Sequence, residues 1–241
     1  QGFELYFQPI VRAKDESLYA AEALLRIHDK NGNFISPAEA IPILEESGLI
    51  IPVGKWIIQN AFSMCTECRK YYPEFRVSIN LSYVQILKSP LMMELKQMIE
   101  HSGISCSGII VELTESGYLE GTPAVRSVWN DMKQLRIQIA LDDFGTGYSN
   151  LMNISNLEPD IVKLDRGFTL KALSRSYEYQ LMQYVIEMVH KLNQYVCVEG
   201  VETKEDLEKI KALGPDLIQG YYYSKPCSRD EFLKKFFGYS E

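Results

Sequence analysis

Histidine is scarce in this chain of 241 residues, with three in all, His28, His101 and His190. His28 follows Arg26 in a turn-like stretch and the other two fall in the tails of helical patterns. An imidazole-built zinc centre is therefore not indicated. Cysteine is sparse and odd in number: Cys65, Cys68, Cys106, Cys197 and Cys227 form no disulfide framework. That excludes a small disulfide-stapled scaffold and predicts free thiols in a reducing compartment. Cys65-Thr-Glu-Cys68 has CxxC spacing, but it lies on an amphipathic helix pattern without a second pair, so the thiols are read as structural. No run approaches the roughly 20 apolar residues that span a bilayer, and no signal peptide pattern is present. A cytoplasmic domain is expected, without direct membrane contact. Positive charge is also in deficit, 25 Lys and Arg against 32 Asp and Glu, for a net charge of -7. Such a field repels polymeric nucleic acid and anionic membranes. A small phosphorylated ligand stays open where local cations reverse the sign.

What the chain does have is 46% hydrophobic and 24% charged residues, enough for one large globular core. Strand-like runs are predicted at Glu4 to Val11, Leu18 to Leu25, Arg76 to Asn80, Gly108 to Glu112, Ile137 to Asp142, Asp160 to Leu164, Tyr195 to Glu199 and Asp216 to Gln219. Helical patterns lie between them at Ser36 to Glu46, Val53 to Lys70, Pro90 to His101, Pro123 to Leu135, Thr169 to Asn193, Lys204 to Leu213 and Arg229 to Phe237. Ser36-Pro-Ala-Glu and Thr203-Lys-Glu-Asp read as helix starts. This alternation predicts an α/β fold, a modified TIM (β/α)8 barrel, with an open doubly wound sheet as the runner-up. Arg12 to Ser17 is too short for a helical crossover, so the first strand should run antiparallel to the second. No linker or repeat divides the chain, and a single domain over residues 1–241 is expected. Because the sequence opens at Gln1 and enters a strand at once, we expect a domain excised from a larger multidomain protein, whose other parts could anchor it to a membrane.

The polar residues of these strands gather at their C-terminal ends: Glu22, Asn80, Glu112, Asp142 with Asp143, Lys163 with Asp165, Glu199 and Gln219. In a barrel those ends form one rim, where sites are assembled from several strands. Any one of them alone would be an ordinary cap or solvated loop residue. Glu22 is harder to dismiss, because Ala20-Ala-Glu-Ala-Leu-Leu would bury its carboxylate unpaired. Asp142 and Asp143 are adjacent, and successive strand residues face opposite ways, so both reach one site only if the strand ends there and turns. A set of carboxylates and one amide selects hard, oxygen-preferring cations such as Mg²⁺ or Mn²⁺.

The motifs occur in order. Phe7-Gln-Pro-Ile-Val11 precedes Glu22-Ala-Leu-Leu-Arg26, followed by Asn80-Leu-Ser82, Glu112-Leu-Thr-Glu115, Asp142-Asp-Phe-Gly-Thr-Gly-Tyr-Ser149, Lys163-Leu-Asp165, Glu199-Gly-Val-Glu202-Thr203 and Gln219-Gly-Tyr221. Together they resemble the EAL-domain family of cyclic di-GMP phosphodiesterases over essentially the whole chain. The resemblance implies hydrolysis of cyclic di-GMP to linear pGpG by a water activated between two ions, Mg²⁺ or Mn²⁺. Glu22, Asn80, Glu112 and Asp142 would hold one ion, and Asp142, Asp143 and Glu199 the other. Lys163 would position the water and Glu199 accept its proton, which makes Glu22, Lys163 and Glu199 the expected catalytic residues. Gln8, Arg26, Asp165 and Gln219 would contact the substrate. Glu202 would stand behind the ligands, and Glu115 would brace a loop hinged at Gly145 and Gly147. The resemblance also implies a homodimer and a parent chain with sensor or cyclase domains. Ile27, Asn150 and Val198 depart from frequent family residues, and none of them is an expected ligand. The alternative is a receptor that binds cyclic di-GMP and leaves it uncut, while another metal-dependent barrel, such as a lyase, has no reason to carry these motifs.

Overall fold

The computed structural model of the protein describes residues 2–114, 122–145 and 157–238. Its strands are β1 (Phe3–Arg12), β2 (Leu18–His28), β3 (Phe34–Ile35), β4 (Arg76–Asn80), β5 (Ile109–Thr114), β6 (Gln138–Phe144), β7 (Ile161–Leu164), β8 (Tyr195–Glu199) and β9 (Leu217–Gln219). The described helices are α1 (Pro37–Glu46), α2 (Ile50–Cys68), α3 (Tyr83–Lys88), α4 (Leu91–Ser102), α5 (Pro123–Gln134), α6 (Arg166–Ser174), α7 (Ser176–Lys191), α8 (Lys204–Ala212) and α9 (Arg229–Phe237).

The sheet closes on itself. Its order is β1-β9-β8-β7-β6-β5-β4-β2, the β1–β2 pairing completes the ring, and β3 is a short flap on β2. Strands β2 and β4 to β9 pair in parallel, whereas β1 is antiparallel to both β2 and β9. The expected barrel with an antiparallel first strand is the observed one. A five-residue turn leaves β2 no choice but to fold back on β1. Among the described residues no helix is long and apolar enough to cross a membrane.

Two apolar layers follow from strand alternation. Outward residues such as Val77, Ile79, Val111, Ile139, Val162, Val196 and Ile218 meet the helices in the main core. Inward residues Ile10, Ala20, Ile110, Ala140, Ile161, Cys197 and Leu217 fill the lower barrel as a separate plug, joined by Tyr19 at the register shift of β2 against Ile10 and Val11. Small side chains from β2 and β6 interleave with larger ones, so the interior is packed and no channel runs through it. The buried thiols belong to this packing: Cys65 and Cys68 are free, and burial pushes the Cys65 thiol up to about 12.

Several boundaries differ from the sequence reading. The single helix expected over Thr169 to Asn193 is two, α6 and α7, broken where Arg175 adopts an extended conformation. Helix α3 was not expected, although Ser82 and Gln85 form a reciprocal capping box at its start. Thr203 caps α8 with Asp206 in the same way. Ser36 precedes α1 without a side-chain cap bond. His28 closes β2 and does not lie in a turn.

Candidate active site

Two residues beyond the apolar plug, nearly every strand presents a polar inward side chain. Ala20 is followed by Glu22, Ile110 by Glu112, Ala140 by Asp142, Ile161 by Lys163, Cys197 by Glu199 and Leu217 by Gln219, while antiparallel β1 places Gln8 two before Ile10. The period of two turns one apolar layer into one polar layer above it. The parallel register puts these groups level: Glu22 is opposite Ser78, Asn80 opposite Glu112 and Glu199 opposite Gln219, with Gln8 facing Glu22 across the antiparallel pair.

Lys163 stands at the centre of that layer. Its side chain is 2% exposed, and its Nζ lies 2.7 Å from Glu112, 2.7 Å from Glu199, 3.3 Å from Asp142 and 3.6 Å from Glu22. Burial alone would lower the lysine, but the surrounding carboxylates outweigh it and hold the ammonium well above its ordinary value. Glu22 is buried and paired: it accepts from Asn80 Nδ2 at 2.8 Å and from Gln219 Nε2 at 2.7 Å. Burial works against its charge, yet Lys163 and the two amides prevail and keep its carboxyl below the usual range. Glu112 shows the opposite balance. Burial first and the Glu22 charge second raise it well above the ordinary value, even though it accepts from Lys163 and from the Ser78 hydroxyl. Burial likewise raises Glu199 to about 8, against the pull of Lys163.

The paired aspartates converge by a route other than the one expected. Strand β6 does not end at Asp142: it runs to Phe144 with an irregular register against β7 between Leu141 and Phe144. Asp143 takes up the irregularity with φ of 60°. A bulge with one left-handed residue re-aims the side chain, which a straight strand could not do. Burial and the adjacent Asp142 raise Asp143 to about 6. Asp142 Oδ1 is buried and has no hydrogen-bond partner, its ion-pair neighbour being Lys163.

The other expected residues divide. Gln8 donates to the Ser224 carbonyl at 3.3 Å and accepts from Gln219 at 3.1 Å, so both amides belong to the Glu22 network. Asp165 caps α6 by accepting from the Gly167 amide at 2.6 Å. Glu202 is exposed at the mouth beside Glu199 and receives two bonds from Arg166, at 2.7 and 3.1 Å. Arg26 lies further out along β2. Gly145 has φ of 102°, and an added Cβ would meet Phe168 at 2.8 Å, so only glycine fits there. Glu115 and Gly147 lie outside the described residues. Ser78 and Arg166 are site residues that the sequence reading missed. A mouth cavity of about 140 Å³ is lined by Gln8, Arg166, Glu199, Gly200, Glu202, Gln219, Gly220 and Tyr221. A larger cavity of about 860 Å³ lies outside the barrel beside α2 and α4, where Glu94 and Glu67 are already paired with Lys55 and Arg229.

As they stand, no three His, Cys, Asp or Glu side chains among the described residues are spaced to enclose a metal ion. The carboxylates are turned onto Lys163 instead. The donor set still suits a divalent cation in kind, since it is all oxygen, carries more negative charge than one lysine offsets, and includes the orphaned Asp142 Oδ1.

Comparison with known proteins identifies the family. Residues 1–226 match the family model described as EAL domain. The chain is 34% identical over 230 residues to the uncharacterized protein y4lL of Sinorhizobium fredii, covering 95% of this chain and 27% of that protein. It is 31% identical over 224 residues to the cyclic di-GMP phosphodiesterase PdeF of Escherichia coli K12, covering 93% of this chain and 30% of PdeF. Less than a third of each relative's length is thus represented. The solved structure of the EAL enzyme Bd1971, in its cAMP- and cyclic-di-GMP-bound form, superimposes with a TM-score of 0.93 at 31% identity, covering 98% of this chain and 65% of that one.

Proposed function

The chain belongs to the EAL domain family, and from that premise we propose that it is a metal-dependent phosphodiesterase opening cyclic di-GMP to linear pGpG. The observation that carries the reading is the buried Lys163 ringed by Glu22, Glu112, Asp142 and Glu199 within 3.6 Å. A relative named as a cyclic di-GMP phosphodiesterase and a similar structure bound to that dinucleotide support the choice of substrate.

Glu22, Asn80, Glu112 and Asp142 would hold one ion, and Asp142, Asp143 and Glu199 a second. Divalent cations held there, Mg²⁺ or Mn²⁺, supply Lewis-acid charge at the phosphate and acidify water. The remaining work falls to the chain's own groups. Lys163, kept protonated by its acidic ring, directs N–H donors at the entering oxygen and at the charge that grows on phosphate. Glu199, with its carboxylate 2.7 Å from Lys163 Nζ, would take the proton of the attacking water. The water oxygen forms the new P–O bond while the P–O3′ bond breaks, the leaving 3′ oxygen takes a proton from solvent to become a hydroxyl, and Glu199 returns its proton to solvent. Gln8 and Gln219 hold Glu22 in place from behind. Arg26 and Asp165 contact the dinucleotide away from the reacting phosphate.

The proposal extends to a cytoplasmic homodimer with sensor or cyclase domains in the same parent chain. Incubation with cyclic di-GMP and Mg²⁺ or Mn²⁺, followed by chromatography, tests the activity. Formation of pGpG supports it. Tight binding with no pGpG, at concentrations where light scattering shows a dimer, would leave a receptor in its place.

A further inference from the structure

Above the barrel rim, the β1–β2 ladder continues as a two-sided ribbon. Leu25 and Ile27 are buried on one side against Leu44 of α1 and Ile50 of α2. Alternation puts Leu24, Arg26 and His28 on the other side, the side that carries Glu22 into the site. Across the ladder Gln8 faces Glu22, Tyr6 faces Leu24 and Glu4 faces Arg26, while Phe34 of β3 faces His28. The ribbon is therefore a wall rising from the catalytic layer, with Arg26 about 13 Å along the strand from Glu22.

Arg26 is held there in an unusual way. Its guanidinium carbon lies 5.4 Å from the centre of the Tyr6 ring and 5.7 Å from that of Phe34, both within cation–π range. Among the described residues its one side-chain hydrogen bond goes to the Leu25 carbonyl at 3.3 Å. It makes no ion pair with a carboxylate among the described residues, although Glu4 faces it across the ladder. A guanidinium carries five N–H donors in a planar fork. Two aromatic rings thus flank that fork and leave most of its donors unspent.

We propose that Tyr6 and Phe34 are positioning residues that hold the Arg26 fork ready for the phosphate of the substrate that is not being cut. Phosphate is the natural partner of a planar guanidinium, because it accepts two parallel N–H bonds. Restricting the arginine beforehand reduces the ordering cost of binding, so the gain falls on affinity and not on the chemical step. Phe34, 55% exposed on a two-residue strand, contributes little to the core and is free to serve this purpose. The inference rests on the phosphodiesterase reading of the rim and names a specificity element within it.

The test is a cycle of Phe34→Ala, Arg26→Ala and the double variant, with Phe34→Tyr as the conservative control. Each is assayed for pGpG formation and for equilibrium binding of cyclic di-GMP. Phe34→Ala should raise KM about two- to fivefold with kcat unchanged, and Phe34→Tyr should restore it. Arg26→Ala should raise KM about 10- to 100-fold, and adding Phe34→Ala to it should cost nothing more. In the substrate-free protein the Arg26 Nε–Hε NMR signal should lose the Phe34 part of its ring-current shift in Phe34→Ala. An equal KM penalty for Phe34→Ala with and without Arg26, or an unmoved Arg26 signal, overturns the positioning role alone. A wild-type domain that neither binds nor cuts the dinucleotide overturns the reading of the rim and this proposal with it.

Discussion

Replacing Lys163 by methionine removes one buried positive charge from among four carboxylates and keeps the aliphatic volume. At the observed separations of 2.7, 2.7, 3.3 and 3.6 Å, each gross attraction is about 5–6 kcal/mol at an effective dielectric of about 20. Mutual repulsion of the acids and desolvation of the ammonium consume most of this. The net cost of orphaning a buried charge cluster is about 3–5 kcal/mol. For a domain of this size that lowers Tm by about 6–20 °C. The penalty should depend on pH in a definite direction. Without Lys163 the clustered acids hold protons in the folded state at pH values where the unfolded chain has released them. Stability of the variant should therefore fall as pH rises from about 5 to about 8, and the gap to wild type should narrow at acid pH. Thermal melts followed by circular dichroism at pH 5 and pH 8, with and without Mn²⁺, measure this. Mn²⁺ should raise the variant's Tm by more than that of wild type. A variant melting within about 2 °C of wild type at pH 8, or losing more stability at pH 5 than at pH 8, would refute the reasoning.

Three further outcomes follow from the same geometry. Glu22→Ala should reduce hydrolysis by at least about 10²-fold, because it would remove a proposed ligand and the acceptor of Asn80 and Gln219. Its far-UV circular dichroism should stay unchanged, and retained turnover would contradict the assignment. In the metal-free protein at pH 7 Glu199, at about 8, is mostly protonated, whereas Asp143, at about 6, is mostly ionised. Mn²⁺ binding at pH 7 should release at least about one proton, read by calorimetry in buffers of differing ionisation enthalpy, and no release would speak against Glu199 as a ligand. Gly145→Ala should destabilise the domain by about 1–3 kcal/mol in urea unfolding, since φ of 102° and the Phe168 ring both resist a side chain.

The barrel was legible because apolar strand runs alternate with helical patterns along the chain, and its rim because polar residues close those runs. Ile110 with Glu112, Ala140 with Asp142, Ile161 with Lys163 and Cys197 with Glu199 each read as an apolar residue and then a polar one on the same face. The antiparallel first strand followed from a turn too short for any other path. What the sequence hid depends on contacts between distant segments. Ser78 sits mid-strand and looks like a neutral filler until β4 and β5 align it with Glu112. Lys163 reads as a cation near the rim, but its enclosure by four acids appears only when their strands meet. The turn expected at Asp142 is instead a bulge, because φ near 60° is a local backbone choice that Asp143 tolerates without announcing it. Glu202 carries a motif position, and its pairing with Arg166 at the mouth appears only when the loop after β8 meets the start of α6. The break at Arg175 follows no proline or glycine, and helical periodicity on both sides of it conceals the interruption.

The central claim is that the acid-ringed Lys163 layer is built to cut a phosphodiester. Chromatography of cyclic di-GMP incubated with the purified domain and Mn²⁺ tests it most directly. The account predicts pGpG as the product, abolished by a chelator, by Glu22→Ala and by Lys163→Met. Saturable binding of cyclic di-GMP with no pGpG from the wild-type domain would contradict it.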